Sequence, residues 1–176
     1  MIELKQYRDK WLSEKVNEFI GFYPREFFCL DNFSAFKVLY KGRLYSTVEH
    51  AYQAAKFFDT APEVAEQIFD AYSSHDAKKI AQANKGKIDP KFDEYKVALM
   101  EELLRLKVKQ NKYVEDKLLA TGDYLIVEDS PSDRFWGIGQ NRDGQNMLGK
   151  LWMKIRYDIK RDRNTRAHLW NCGGGD

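Results

Sequence analysis

Cysteine is scarce in this chain: two residues, Cys29 and Cys172, far apart among 176. No Cys or Cys/His pair has the spacing of a zinc ligand set, so neither a structural zinc site nor a disulfide framework is expected, and no metal site is assigned. A chain without disulfides fits a reducing compartment. No apolar run reaches the roughly 18 residues of a membrane-spanning helix. The opening MIELKQYRDK has no apolar signal core, so the expected location is the cytoplasm, with no membrane contact. Net charge is only +2, which makes no demand for a polyanionic partner. No internal repeat with a period of roughly 20–50 residues is present, and no stretch has the composition of a domain linker.

What is present is the composition of a globular domain with a real core. Hydrophobic residues make up 43% and charged residues 32%, which argues against disorder. Aromatics reach 14%, with ten Tyr, eleven Phe and four Trp; some can serve as stacking surfaces, while most such residues fill cores.

The stretch STVEHAYQAAKFF, Ser46 to Phe58, predicts a helix with chemistry on one side. Ser46 and Glu49 have the spacing of a capping box. Glu49, Gln53 and Lys56 follow at i, i+4 and i+7, which lines a carboxylate, an amide and an amine along one face. The plainer alternative is that Glu49 only caps the helix and Lys56 is a solvated surface lysine.

Around it the pattern predicts a strand over Glu18–Tyr23, an aromatic loop over Phe27–Phe36, and a hairpin of Phe36–Tyr40 and Arg43–Tyr45 turning at Lys41-Gly42. A short helix is expected near Tyr7–Leu12. A helix capped by Thr60 and Glu63 should run to about Tyr72, and another should span Ser74–Ala83. Asp89-Pro90 opens the strongest helix, with an apolar stripe of Phe92, Tyr95, Leu99, Leu103 and Leu106, widened by Met100 and Leu104, ending near Lys109. A helix over Asn111–Thr121 stops at Gly122, a strand covers Tyr124–Val127, and a last helix spans Met147–Ile159. The strands and helices do not alternate, so a Rossmann fold is disfavoured. The expected class is α+β, a mostly helical single domain around a small antiparallel sheet. Residues 1–21 are read as an N-terminal extension packed on a domain of residues 22–159, and residues 160–176 as a basic, Gly-rich, frayed tail.

The loop from Ser130 to Gly149 is long for a compact domain, and such loops are often functional. It carries Asp133, Trp136 and the glycines Gly137, Gly139, Gly144 and Gly149. Glycine lets a backbone approach a ligand closely and aim N–H groups at phosphate oxygens. The alternative is a structural Ω-loop with Trp136 plugging the core.

The segments LDNFSAF, STVEHAYQAAK, LLATGDYLIVEDSPSDRFWGIG and DGQNMLGKLWMKIR, in this order, resemble the YbiA-like or NADAR family over about Phe22 to Asp158. One departure is visible. Members commonly read L-S-N-F-Y-P where this chain has Leu30-Asp31-Asn32-Phe33-Ser34-Ala35. The resemblance implies an N-glycosidase that cleaves a bond between ribose C1′ and nitrogen. Its substrate would be an early phosphoribosylamino intermediate of riboflavin synthesis or ADP-ribose attached to guanine, the latter with ADP-ribosylated DNA as a partner. No cofactor is implied. Carried onto this chain, it assigns Lys56, Glu49 and Asp133 to catalysis. It assigns Asn32, Phe33, Tyr52, Gln53, Trp136, Gly137, Gly139 and Asn146 to substrate binding.

The chemistry of those residue types suits this reaction. Breaking a C1′–N bond builds positive charge on the sugar, which a carboxylate stabilises while an acid protonates the leaving nitrogen. A lysine offers another route through a Schiff base at C1′, provided that burial or a nearby cation lowers its pKa; Glu49 would oppose that shift. The competing reading is a non-catalytic ADP-ribose-binding module. A weaker one is nucleic-acid binding through the basic tail.

Overall fold

The computed structural model describes residues 19–21 and 27–172, with side chains for 20–21 and 27–165. The helix expected near Tyr7–Leu12 and most of the N-terminal extension lie outside the described residues. Two compact units are distinguishable: residues 28–116, and residues up to Phe27 together with those from Lys117 onward.

In the first unit, strands β2 (Val38–Tyr40) and β3 (Arg43–Tyr45) form the antiparallel hairpin. Lys41 and Gly42 both have positive φ, 47° and 77°, as a two-residue type I′ turn requires. The alternation follows the pleat. Val38, Tyr40 and Tyr45 point inward, while the cross-strand pair Leu39 and Leu44 faces out.

Helix α1 (Val48–Ala55) follows and is buried on every side; α2 (Pro62–Phe69), α3 (Ser74–Ala83) and α4 (Phe92–Gln110) pack against it. Ala51 and Ala54, both fully buried, leave room for that approach. The cap is Thr47, not Ser46: its side chain accepts from His50 N at 3.3 Å. Likewise, α2 starts at Pro62 without a side-chain cap, because Thr60 Oγ1 donates to Lys87 O instead. Asp89 shapes the entry to α4, accepting from Lys91 N and from the Tyr95 hydroxyl. The inward stripe of α4 is Leu99, Met100, Leu103, Leu104, Lys107 and Val108; Leu106 lies off it. At its end, the Gln110 amide pairs with both N and O of Leu39, extending the hairpin edge by one rung.

In the second unit, β1 (Phe19–Gly21) pairs with β4 (Leu125–Val127) in parallel. The sequence pattern did not indicate this pairing, since three-residue strands so distant in the chain leave no local signature. Helix α5 (Lys112–Ala120) enters this unit and ends at Gly122, φ 58°. Arg156 and Lys160 of helix α6 (Met147–Cys172) satisfy the carbonyls at that end, reaching Thr121, Gly122 and Tyr124. Leu148, Leu151, Trp152 and Ile155 are buried as the spacing predicts. Helix α6 runs past Ile159 because Lys160–Cys172 contains no Gly or Pro to stop it, which corrects the expected end of the helix. The class is α+β and mostly helical, with a small antiparallel sheet. No helix among the described residues is long and apolar enough to cross a membrane.

Candidate active site

The chemistry-bearing face of α1 is internal. Glu49 and Gln53 are each 5% exposed, and Gln53 Nε2 donates to Glu49 Oε1 at 2.8 Å. Glu49 therefore does not act as the reciprocal cap. Its backbone N–H is held by Asn32 O at 3.1 Å, which ties the helix start to the Asp31–Phe33 loop. Lys56 is the C-cap residue of the helix, half-buried, with Nζ 5.2 Å from the Tyr52 ring centre and 5.4 Å from that of Phe92. Tyr52 and Phe92 meet edge to face, so the amine sits beside an aromatic corner.

Electrostatics bring the acid and the amine closer together in proton affinity. Burial pushes the Glu49 carboxyl above the ordinary carboxylate range; the Gln53 hydrogen bond and the Lys78 and Lys56 charges pull the other way. Burial pushes the Lys56 amine down, opposed by Glu49 and assisted by Lys78 and Lys96. The balance left open by the sequence thus falls on the side of a lowered amine pKa.

Three neighbours escaped the sequence reading. Lys107 is fully buried on α4 and donates to Asp31 O and Ser34 Oγ, both at 2.7 Å. Burial lowers its pKa to about 7. Ser34 Oγ in turn lies 2.6 Å from Asp31 O. Of the three positions that depart from the family pattern, Asp31, Ser34 and Ala35, the first two are thus the ones that Lys107 braces. Asp31 itself closes the loop by accepting from Phe33 N at 2.8 Å. Lys78 and His75, one turn apart on α3, flank the Phe33 ring: His75 meets it edge to face at 4.9 Å and Lys78 Nζ lies 5.8 Å from its centre. Lys107 carried a signal in the sequence, a lone charge in step with Leu103 and Leu104 on an apolar stripe. Lys78 and His75 carried none.

The residues assigned from the Ser130–Gly149 loop build the second unit. Asp133 Oδ1 accepts from Phe135 N at 2.9 Å and Trp136 N at 2.7 Å. Trp136 is half-buried against Phe135, and the core residue of the loop is Ile138, not Trp136. A Cβ on Gly137 would lie 2.8 Å from Glu128 O, so this glycine serves the close packing of the loop. Gly139 has φ 67°. Asn146 adopts φ 50° and uses both ends of its amide on β4, accepting from Glu128 N and donating to Ile126 O. Among the described residues no cluster of His, Cys, Asp or Glu has the arrangement of a metal site. A recess of about 420 Å³ on α4, lined by Ala98, Glu101, Glu102, Arg105, Leu106 and Lys109, carries none of the assigned residues.

A buried carboxyl–amide pair beside an amine of lowered pKa is the equipment of an acid–base or imine-forming enzyme. Comparison with known proteins gives the family and the bond it acts on. The NADAR domain model matches residues 7–160, and the chain belongs to that family. It is 34% identical over 133 residues to N-glycosidase Npun_R5314 of Nostoc punctiforme, covering 75% of this chain and 85% of that one. N-glycosidase YbiA of Escherichia coli K12 is 30% identical over 128 residues, 73% of this chain and 79% of that protein. The NMR structure of E. coli YbiA superposes with a TM-score of 0.75 at 28% identity, covering 84% of this chain and 88% of that one. Riboflavin biosynthesis protein VVA0006 of Vibrio vulnificus is 30% identical over 131 residues, 74% of this chain but 35% of that longer protein. The chain is accordingly an enzyme, a hydrolase of N-glycosyl bonds.

Proposed function

We propose that this enzyme hydrolyses a ribose C1′–N bond through Lys56, with Glu49 carrying the proton. The observation that supports this reading is the buried Glu49–Gln53 pair, with Gln53 one helical turn and Glu49 two turns from an amine that forms no ion pair among the described residues. Opening of the glycosylamine ring moves the C1′–O4′ bonding electrons onto oxygen, which takes a proton from Glu49, and leaves C1′ doubly bonded to the nitrogen of the base. The neutral Lys56 amine adds to C1′. The base amine leaves with a proton, and a lysine imine remains. Water then adds to the imine and releases the sugar as its aldehyde, returning Lys56 as the free amine and Glu49 as the acid. The net change is one water consumed per bond cleaved.

The favoured substrate class is a phosphoribosylamino intermediate of riboflavin synthesis, supported by the name of the Vibrio relative. ADP-ribose attached to guanine is the second class, supported by the family resemblance. Asp133 is assigned as a further acid. Tyr52 and Phe33 are assigned to the sugar and Trp136 to the base, with Gly137, Gly139 and Asn146 shaping the loop that carries Trp136. The cytoplasm is the proposed location. Incubating purified protein with each substrate class and quantifying released base tests the assignment. Release from one class, lost in Lys56→Ala, is the expected result; no release from either leaves the ADP-ribose-binding module.

A further inference from the structure

Asn32 Oδ1 and Gln53 Oε1 are buried side-chain oxygens that accept no hydrogen bond among the described residues. The residues are 7% and 5% exposed. Buried acceptors left unpaired disfavour a fold unless a donor arrives, and native proteins keep few of them. These two belong to one cluster, since Asn32 O holds Glu49 N and Gln53 Nε2 holds the Glu49 carboxylate. The donor ends are engaged within the protein: Asn32 Nδ2 on Met100 Sδ at 3.4 Å and Gln53 Nε2 on Glu49. What the two amides leave for a ligand is a pair of acceptors.

We propose that Asn32, Glu49 and Gln53 form a cradle for the vicinal 2- and 3-hydroxyls of the sugar, so that the enzyme selects ribose and rejects 2-deoxyribose. The identity of the sugar rests on the N-glycosidase reading; the demand for donors rests on the cradle itself. An ionised phosphate or carboxylate offers no donor to these two oxygens. Most base edges mix donors with acceptors; guanine, with two adjacent N–H donors, is separated by binding of ribose 5-phosphate, which carries no base. A vicinal diol brings two O–H donors on adjacent carbons. Carbon 2 also adjoins the reacting carbon, which Lys56 attacks from one turn further along α1. The N-glycosyl bonds of DNA carry 2′-deoxyribose and lack the hydroxyl that the cradle reads, so they are spared while a ribosyl group attached to a base is not.

The test measures binding of ribose 5-phosphate and 2-deoxyribose 5-phosphate to the full-length protein by calorimetric competition. Ribose 5-phosphate should bind about tenfold or more tightly, because the deoxy sugar leaves a buried acceptor unpaired. In Gln53→Met and Asn32→Leu, which replace the acceptors by apolar groups of similar size, the ratio should fall toward one. Equal binding of the two sugars by the unsubstituted protein, or binding of neither, overturns the cradle without reference to any variant. A ratio unchanged in both variants overturns it as well. Failure of the activity is separable. Base release from a riboside together with equal sugar binding removes the cradle and keeps the N-glycosidase; sugar discrimination without base release does the reverse.

Discussion

Lys107 Nζ lies 2.7 Å from the carbonyl oxygen of Asp31, 76 residues earlier in the chain, in a fully buried setting. A neutral amine can donate both of its protons there, one to Asp31 and one to Ser34 Oγ. Its pKa of about 7, against an ordinary 10.5, fixes a sign. Below about pH 7 the folded and unfolded states both hold the proton. Between about 7 and 10.5 only the unfolded state does, so stability rises with pH across that window. Urea midpoints at pH 7 and pH 9 should show this rise, with a slope of up to about 1.4 kcal/mol per pH unit. Lys107→Met should abolish this component. A rise of the same size in the variant would assign it to other groups.

Glu49 has the opposite sign. Its raised pKa means that the folded state holds a proton more readily, so stability is lost as pH rises through the folded value. Glu49→Gln keeps an acceptor for Gln53 Nε2 and removes the buried charge. The variant should melt at a higher temperature than the parent at pH 8, with a smaller gain at pH 5, while turnover falls about a hundredfold or more. A lower melting temperature at pH 8 would show that the carboxylate is held by partners that outweigh its desolvation.

How much of this was legible beforehand differs between the units. The hairpin turn was readable because Lys41-Gly42 must supply two positive φ values, and the row Glu49, Gln53, Lys56 because helical spacing is regular. The capping boxes at Ser46 and Thr60 were misread. Thr47 and Ala61 hold those positions, and a hydroxyl followed three residues later by a carboxylate does not reveal which residue turns the backbone. The parallel pairing of β1 with β4 and the bracing of the Asp31 loop by Lys107 join residues roughly 75 or more positions apart, and such pairings have no period to read.

Gly149 tests the packing of the second unit. A Cβ there would lie 2.1 Å from Ile126 O, a backbone atom that cannot swing aside. Gly149→Ala should lose about 2 kcal/mol or more of stability. Asn146→Ala frees Glu128 N and Ile126 O and should cost about 1–3 kcal/mol. Chemical denaturation checks both. A Gly149→Ala protein as stable as the parent would mean that α6 can shift away from β4.

Lys78 depresses the Lys56 amine and therefore sets the pH at which that amine becomes free. The proposed chemistry needs a free Lys56 amine and a protonated Glu49 together, so the rate is bell-shaped in pH. Lys78 lowers the proton affinity of both groups, so Lys78→Met should move the whole bell to higher pH with its height little changed. An unshifted pH–rate profile would remove Lys78 from the electrostatics of the site.

Lys56 is proposed to bond covalently to C1′. Borohydride added during turnover should reduce the imine to a stable secondary amine, and peptide mass spectrometry should place the added sugar on Lys56. Lys56→Arg keeps the positive charge but has no free amine, since guanidinium stays protonated, and should lose at least about a hundredfold in rate. Trapped sugar on Lys56 together with an inactive arginine variant is the predicted result. Full activity in Lys56→Arg, on a substrate that the parent enzyme cleaves, would contradict the imine and leave direct attack by water.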